Sequence, residues 1–183
     1  MKIHYLQPLA VDKNIGRAYN EECGLVPPDD WICITDHDSC FLHPDSPKQL
    51  YDIAENNAGR YSLLWCVTNR LRAPDQLYNR TFSTDTNILN HKAIADKLFA
   101  TKYAEVSPFP HPAAGLLMLF PKSTWEMVKF KEHRINFDAH FSNEIRQQGG
   151  RIGLMEGVYR FHFYRFDKAD PCNSINHLQC LEK

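Results

Sequence analysis

Hydrophobic and polar positions follow two rhythms along this chain. Short, largely apolar runs at Trp31–Thr35 (WICIT), residues 61–68 (YSLLWCVT) and residues 116–120 (LLMLF) predict strands buried on both faces. Two further extended stretches are expected, at residues 2–9 and 152–164. Between them the apolar spacing changes to three and four. Residues 15–23 form a short helix with Asn14 as its cap and Gly24 as its stop. Ser46-Pro47 has the order of an N-cap and first helical position; Leu50, Ile53 and Ala54 form the inner stripe, and Gly59 ends the helix. Residues 85–104 carry Ile88, Ala95, Leu98 and Lys102 at helical spacing. Ser123 to Glu126 has the S-x-x-E form of a capping box. Phe141 and Ile145 lie one turn apart on a helix over residues 139–148 that stops at Gly149-Gly150.

Alternating strands and helices predict a single-domain α/β layer fold, a mostly parallel sheet flanked by helices. The domain spans residues 1–166, followed by a polar tail at 167–183. Two long loops are expected, at 71–83 and 105–113.

One strand ends in an unusual way. Directly after Trp31–Thr35 come Asp36, His37 and Asp38, so an apolar strand runs into two carboxylates one residue apart. Like charges that close repel, and neither can be buried cheaply without a counter-charge. In an extended segment, residues two apart point the same way, so Asp36 and Asp38 can offer oxygens to one hard cation such as Mn2+ or Mg2+. The other reading is that both cap the loop and its turn. Ligands of parallel α/β sheets bind beyond the carboxyl ends of the strands, which is where this pair falls.

Composition narrows the function classes. Lys and Arg number 21 against 22 Asp and Glu, a formal net charge of −1, without the basic excess of a nucleic-acid binder. The six cysteines form no C-x-x-C pair, and the nine histidines do not fall at zinc-ligand spacing with them. MKIHYLQPLA has no continuous apolar segment of the signal-peptide kind, and the run at 116–120 is too short to span a bilayer. A cytoplasmic protein without a transmembrane segment is expected.

Three blocks resemble family 2 glycosyltransferases of the GT-A fold. NIGRAYNEECGLVPPDDWICITDHDSCFLHPD resembles the nucleotide-sugar half with its strand ending in D-x-D. AAGLLMLFPKSTWEMV resembles the strand and helix that bring up the acceptor side. FDAHFSNEIRQQGGRIGLMEGVYRFHFYR resembles the block in which an acidic residue opens a helix and a G-x-R-I strand follows. The resemblance covers residues 14–166. It implies a Rossmann-like sheet and a metal-dependent, inverting transfer from a UDP- or GDP-sugar to a hydroxyl of a glycan or other acceptor. Asp36 and Asp38 match the pair that holds Mn2+ or Mg2+. Asp138 matches the residue taken as general base, and His162 falls where several such enzymes place a metal or diphosphate ligand. Asn14, Arg17, Asn20, Asn69 and Arg70 fall on the nucleotide-sugar side, and His140 on the acceptor side. The chain departs from the family pattern at Phe137, which stands for Glu, and at His140, which stands for a second acidic residue. The N-terminal nucleotide-binding segment is also compressed into residues 2–20.

Each residue also has a plain structural reading. Asp138 can be a helix N-cap, His162 a packed strand residue, Arg70 a solvated strand end, and Asn14, Arg17 and Asn20 capping groups. Trp125 reads as core packing, and His37 is expected to point away from the two aspartates. Two rivals to transfer remain. One is a module that binds sugar nucleotides or glycans without turnover. The other is a phosphohydrolase using the first Asp of D-x-D as nucleophile, which would want a late acidic cluster that GVYRFHFYRF does not supply.

Overall fold

The computed structural model describes residues 1–71, 73–79, 85 and 87–163. The expected tail, Cys172, Cys180 and the tip of the expected 71–83 loop lie outside the described residues. Among the described residues, seven strands and five α-helices follow one another: β1 (Ile3–Leu6), α1 (Ile15–Gly24), β2 (Trp31–Thr35), β3 (Ser39–Phe41), α2 (Ser46–Asn56), β4 (Leu63–Thr68), α3 (Ile88–Thr101), β5 (Val106–Pro108), β6 (Leu117–Pro121), α4 (Lys122–Met127), α5 (Phe137–Gln147) and β7 (Ile152–His162). A 3-10 turn at Pro74–Gln76 follows β4.

The strands form one sheet in the order β1-β2-β6-β4-β7-β3, with β5 added on β7. β1 pairs parallel with β2, and β4 with β7; the other four pairings are antiparallel. The sheet is therefore mixed, which corrects the expectation of a mostly parallel one. β6 lies between β2 and β4 and runs against both, starting where β2 ends: the Asp36 N–H donates to the Leu116 carbonyl, 3.1 Å. An apolar run such as LLMLF is equally hydrophobic in either direction, so its pattern carries no strand polarity. β1, β2, β4 and β7 still share one direction, and their carboxyl ends lie on one side of the sheet.

Alternate side chains of the central strands feed two cores, as the period of two requires. On one face, Ile32, Ile34, Trp65, Met118 and Phe120 pack with Tyr19 and Cys23 of α1, Ala95 of α3, Trp125 of α4 and Phe141 and Ile145 of α5. On the other, Cys33, Leu64, Cys66 and Leu119 pack with Leu50, Ile53 and Ala54 of α2. The apolar stripe expected on α2 is thus the buried one.

Local signals resolve differently. Asn14 caps α1 as expected, its side chain accepting from the Arg17 N–H. At α2 the N-cap is Asp45, not Ser46. The capping box at Ser123 does not form: α4 opens at Lys122 straight out of β6, with Pro121 at the cap position. Lys122 is buried and its ammonium donates to the Cys23 and Gly24 carbonyls at 2.6 and 3.2 Å, placing a cation at the C-terminal end of α1. Residues 105–113 are not all loop, since β5 pairs with β7 there. β3, too short for its pattern to announce, pairs with the end of β7. Among the described residues, no helix is long and apolar enough to cross a membrane.

β7 contains an irregularity that decides which residues meet at the carboxyl end of the sheet. Cys66 pairs with Met155, but the next residue, Val67, pairs with Tyr159. The three residues in between form a bulge that resets the second half of the strand. That half then lies against both β3 and the end of β4.

Candidate functional site

The carboxyl ends of β1, β2, β4 and β7, together with the start of β6, border an open cleft of about 620 Å³. Gln7, Thr35, Asp36, His37, Asp38, Asp138 and His162 are among its polar lining residues. Much of the remaining wall is apolar: Pro8, Leu9, Ile15, Leu71, Ile135 and Phe137 among others. No Lys or Arg lines it among the described residues.

Asp36 leaves β2 in a tight turn rather than in the extended conformation expected, and the chain re-enters the sheet at Ser39. Ser39 Oγ donates to the Asp36 carbonyl (2.8 Å), closing the turn. The β3–β7 ladder sets Ser39 opposite His162, and the Phe163 N–H donates to the Asp38 carbonyl (2.8 Å). This ladder brings a strand-end histidine beside a turn that lies more than a hundred residues earlier. One ligand atom from each of Asp36, Asp38 and His162 lies within 4.8 Å of the others.

His162 is held by Asn69 and Arg70, the two residues that follow β4. Asn69 pairs with it through the side-chain amide, accepting its N–H (2.8 Å) and donating to its carbonyl (3.2 Å). The imidazole Nδ1 donates to the Arg70 carbonyl (2.7 Å), because a carbonyl can only accept. Nε2 is thereby turned toward Asp38, 3.3 Å from Oδ1. With a proton on Nε2 the ring bridges to Asp38; without it, a lone pair faces the two carboxylates. Metal-binding histidines are oriented in this way, the other ring nitrogen donating to a backbone carbonyl. Two carboxylates and one imidazole fit Mn2+, with Mg2+ the harder alternative.

The electrostatics follow from the crowding. Burial pushes Asp36 up to about 6; His162 works against that rise, while the Asp38 and Asp138 carboxylates add to it. Asp38 is held below the usual carboxylate range, chiefly by its hydrogen bond with His162. Asp138 lies in the first turn of α5, whose N-cap is Asn136, so the alternative reading of Asp138 as that N-cap does not hold. Its carboxylate accepts from the Gly115 N–H (2.8 Å) and the Ala139 N–H (2.7 Å), and burial raises its pKa against the pull of those bonds. A raised carboxylate on a cleft wall is a stronger base than a free one.

The other residues singled out in the sequence lie elsewhere. Asn14 is buried and its Oδ1 accepts from both the Arg17 and His133 N–H groups. Asn20 binds Phe130 through both backbone groups and accepts from Trp125 Nε1. Arg17 is exposed and pairs with Asp12 at 2.8 Å. None of these three, nor His140, lines the cleft. The Asn69 amide and the Arg70 carbonyl serve the His162 backbone and ring. His37 does line the cleft, although exposed.

Arg160 is a contributor that the sequence motifs do not single out. It is buried, donates to Ser39 Oγ (2.7 Å) and to the Ser39 carbonyl (3.0 Å), and lies over the Phe41 ring. It locks the turn that carries both aspartates from behind. A charged residue set between the aromatic Tyr159 and Phe161, two positions before His162, was the available signal. A scan against protein-family models and a search of curated proteins find no match for this chain.

Proposed function

We propose that this protein is a metal-dependent glycosyltransferase that moves a sugar from a nucleoside-diphosphate donor to an acceptor hydroxyl with inversion. The observation that carries the reading is the convergence of Asp36, Asp38 and His162 at the floor of a cleft whose wall bears a third carboxylate, Asp138.

Asp36, Asp38 and His162 Nε2 are the groups that would hold Mn2+ or Mg2+. The cation would neutralise charge on a leaving diphosphate. The Arg70 carbonyl keeps the imidazole in the tautomer that leaves Nε2 available to it, while Asn69 fixes the backbone that carries the ring. Asp138 takes the proton of the acceptor hydroxyl as that oxygen bonds to the anomeric carbon and the bond to the diphosphate oxygen breaks. Attack from the face opposite the leaving group inverts the anomer.

Thermal melts and calorimetric titrations with UDP and GDP, each with and without Mn2+, test the donor half. A ligand that binds only the folded state raises the melting temperature, so one diphosphate should do so only when Mn2+ is present. No shift with either diphosphate in Mn2+ would sink the reading. Binding without transfer from the matching sugar nucleotide would favour the binding module.

A further inference from the structure

Ile135 is 95% exposed, yet it lies at the lip of the cleft, three residues before Asp138. A single exposed isoleucine on a loose loop would mean little. This one is held in place. The segment 128–136 is fastened to α1 by Asn20, which binds both the N–H and the carbonyl of Phe130, and by Asn14, which accepts from the His133 N–H at 2.9 Å. Gly16 lets the two pieces touch, because a Cβ there would collide with the Lys131 carbonyl. Two residues before Ile135, His133 adopts φ 54°, a left-handed conformation that residues other than glycine rarely adopt without cost. The chain thus accepts backbone strain on a fastened segment and leaves a large apolar side chain in water beside the carboxylate proposed as base.

The charge of the cleft adds a second constraint. Three carboxylates face it, and Lys131 and Arg134, on the same segment, do not line it. An acceptor bearing phosphate or carboxylate would meet like charge there. Leu9, 81% exposed, also lines the cleft.

We infer that the acceptor is a neutral hydroxyl compound with an apolar aglycone, and that the aglycone rests on Ile135. The inference depends on the transferase reading and names the substrate class of the same site. Burying the aglycone against Ile135 places its hydroxyl toward Asp138, so binding energy from a non-reacting part positions the reacting one.

The test compares octyl glucoside below its micelle concentration, methyl glucoside and glucose 6-phosphate, titrated calorimetrically into the full chain with Mn2+ and whichever of UDP or GDP binds. Octyl glucoside should bind about tenfold or more tighter than methyl glucoside, and glucose 6-phosphate no tighter than methyl glucoside. Ile135→Ser, at an exposed position, should keep the wild-type melting temperature and Mn2+–diphosphate affinity while losing most of the octyl preference. Equal affinities for the two glycosides, tighter binding of the phosphate, or an octyl preference that survives Ile135→Ser would each overturn the inference. Diphosphate binding without alkyl preference sinks the acceptor class alone. Failure of both UDP and GDP to bind with Mn2+ sinks the transferase reading and the acceptor role with it.

Discussion

Asn69 grips the backbone of His162 with both ends of its amide, accepting the N–H at 2.8 Å and donating to the carbonyl at 3.2 Å, across 93 positions of sequence. A side chain here does what a strand neighbour would do, at the point where β4 has already ended. Asn69→Ala would remove the acceptor of a buried N–H, at about 1–3 kcal/mol. Loss of a group that orients a metal ligand typically costs about 10–100-fold in metal affinity. Mn2+ titration of Asn69→Ala should show that loss, and retained wild-type affinity would mean that His162 needs no such brace.

Asp36 makes the metal-free protein less stable as pH rises. Its folded pKa of about 6 lies above the unfolded value of ~3.9. Its contribution is fully present below ~3.9 and is lost as pH rises through about 6. Asp38 is shifted the other way, so its contribution is lost only as pH falls below the ordinary carboxylate range. Between about pH 4 and 6.5 the Asp36 effect should show in melts of the wild type, and Asp36→Asn should flatten it and raise the melting temperature at the upper end. Each kcal/mol corresponds to about 2–4 °C in a chain of this size. Mn2+ should stabilise the wild type more at about pH 7.5 than at about pH 5, because protons compete for the same oxygen. A Mn2+ effect that is larger at the acid end would contradict the assignment.

Asp138→Asn separates base from brace. The amide keeps one acceptor oxygen for the Gly115 or Ala139 N–H and removes a buried charge, so the effects on stability oppose each other. The melting temperature should move by no more than a few degrees, while transfer falls by about 10²-fold or more. A variant that melts and turns over normally would remove Asp138 from the mechanism.

Asn20→Ala tests the fastened segment. It removes three hydrogen bonds, two of them to the Phe130 backbone, and should cost about 1–3 kcal/mol. Because Asn20 does not line the cleft, Mn2+ affinity should stay at the wild-type value while KM for the acceptor rises. An unchanged KM would show that the position of Ile135 does not govern acceptor binding.

The legible parts of this chain were those with local periodicity. β2 and the inner stripe of α2 follow from short local patterns that no distant contact needs to supply. β3 and β5, three residues each, are too short to show a period, and they exist because β7 offers them a partner. Asp36 and Asp38 stood out because carboxylates end an apolar run. The roles of Asn69 and Arg70 could not be read in the same way: a polar pair closing a strand suggests substrate, whereas here one amide and one carbonyl hold His162. Asn14 showed its capping function locally but not its bond to His133, 119 positions away.

The bulge in β7 divides one strand between two cooperative units. Residues up to Met155 pair with the first four residues of β4, whereas Tyr159 to His162 depend on the end of β4 and on the three residues of β3. Opening the second group needs no rupture of the first, so amide exchange should break sharply inside a single continuous strand. Amides at 160–162 and 39–41 should exchange together and sooner than those at 152–155. Slowing of that exchange by Mn2+ would report cation binding from the backbone, without any assay of turnover.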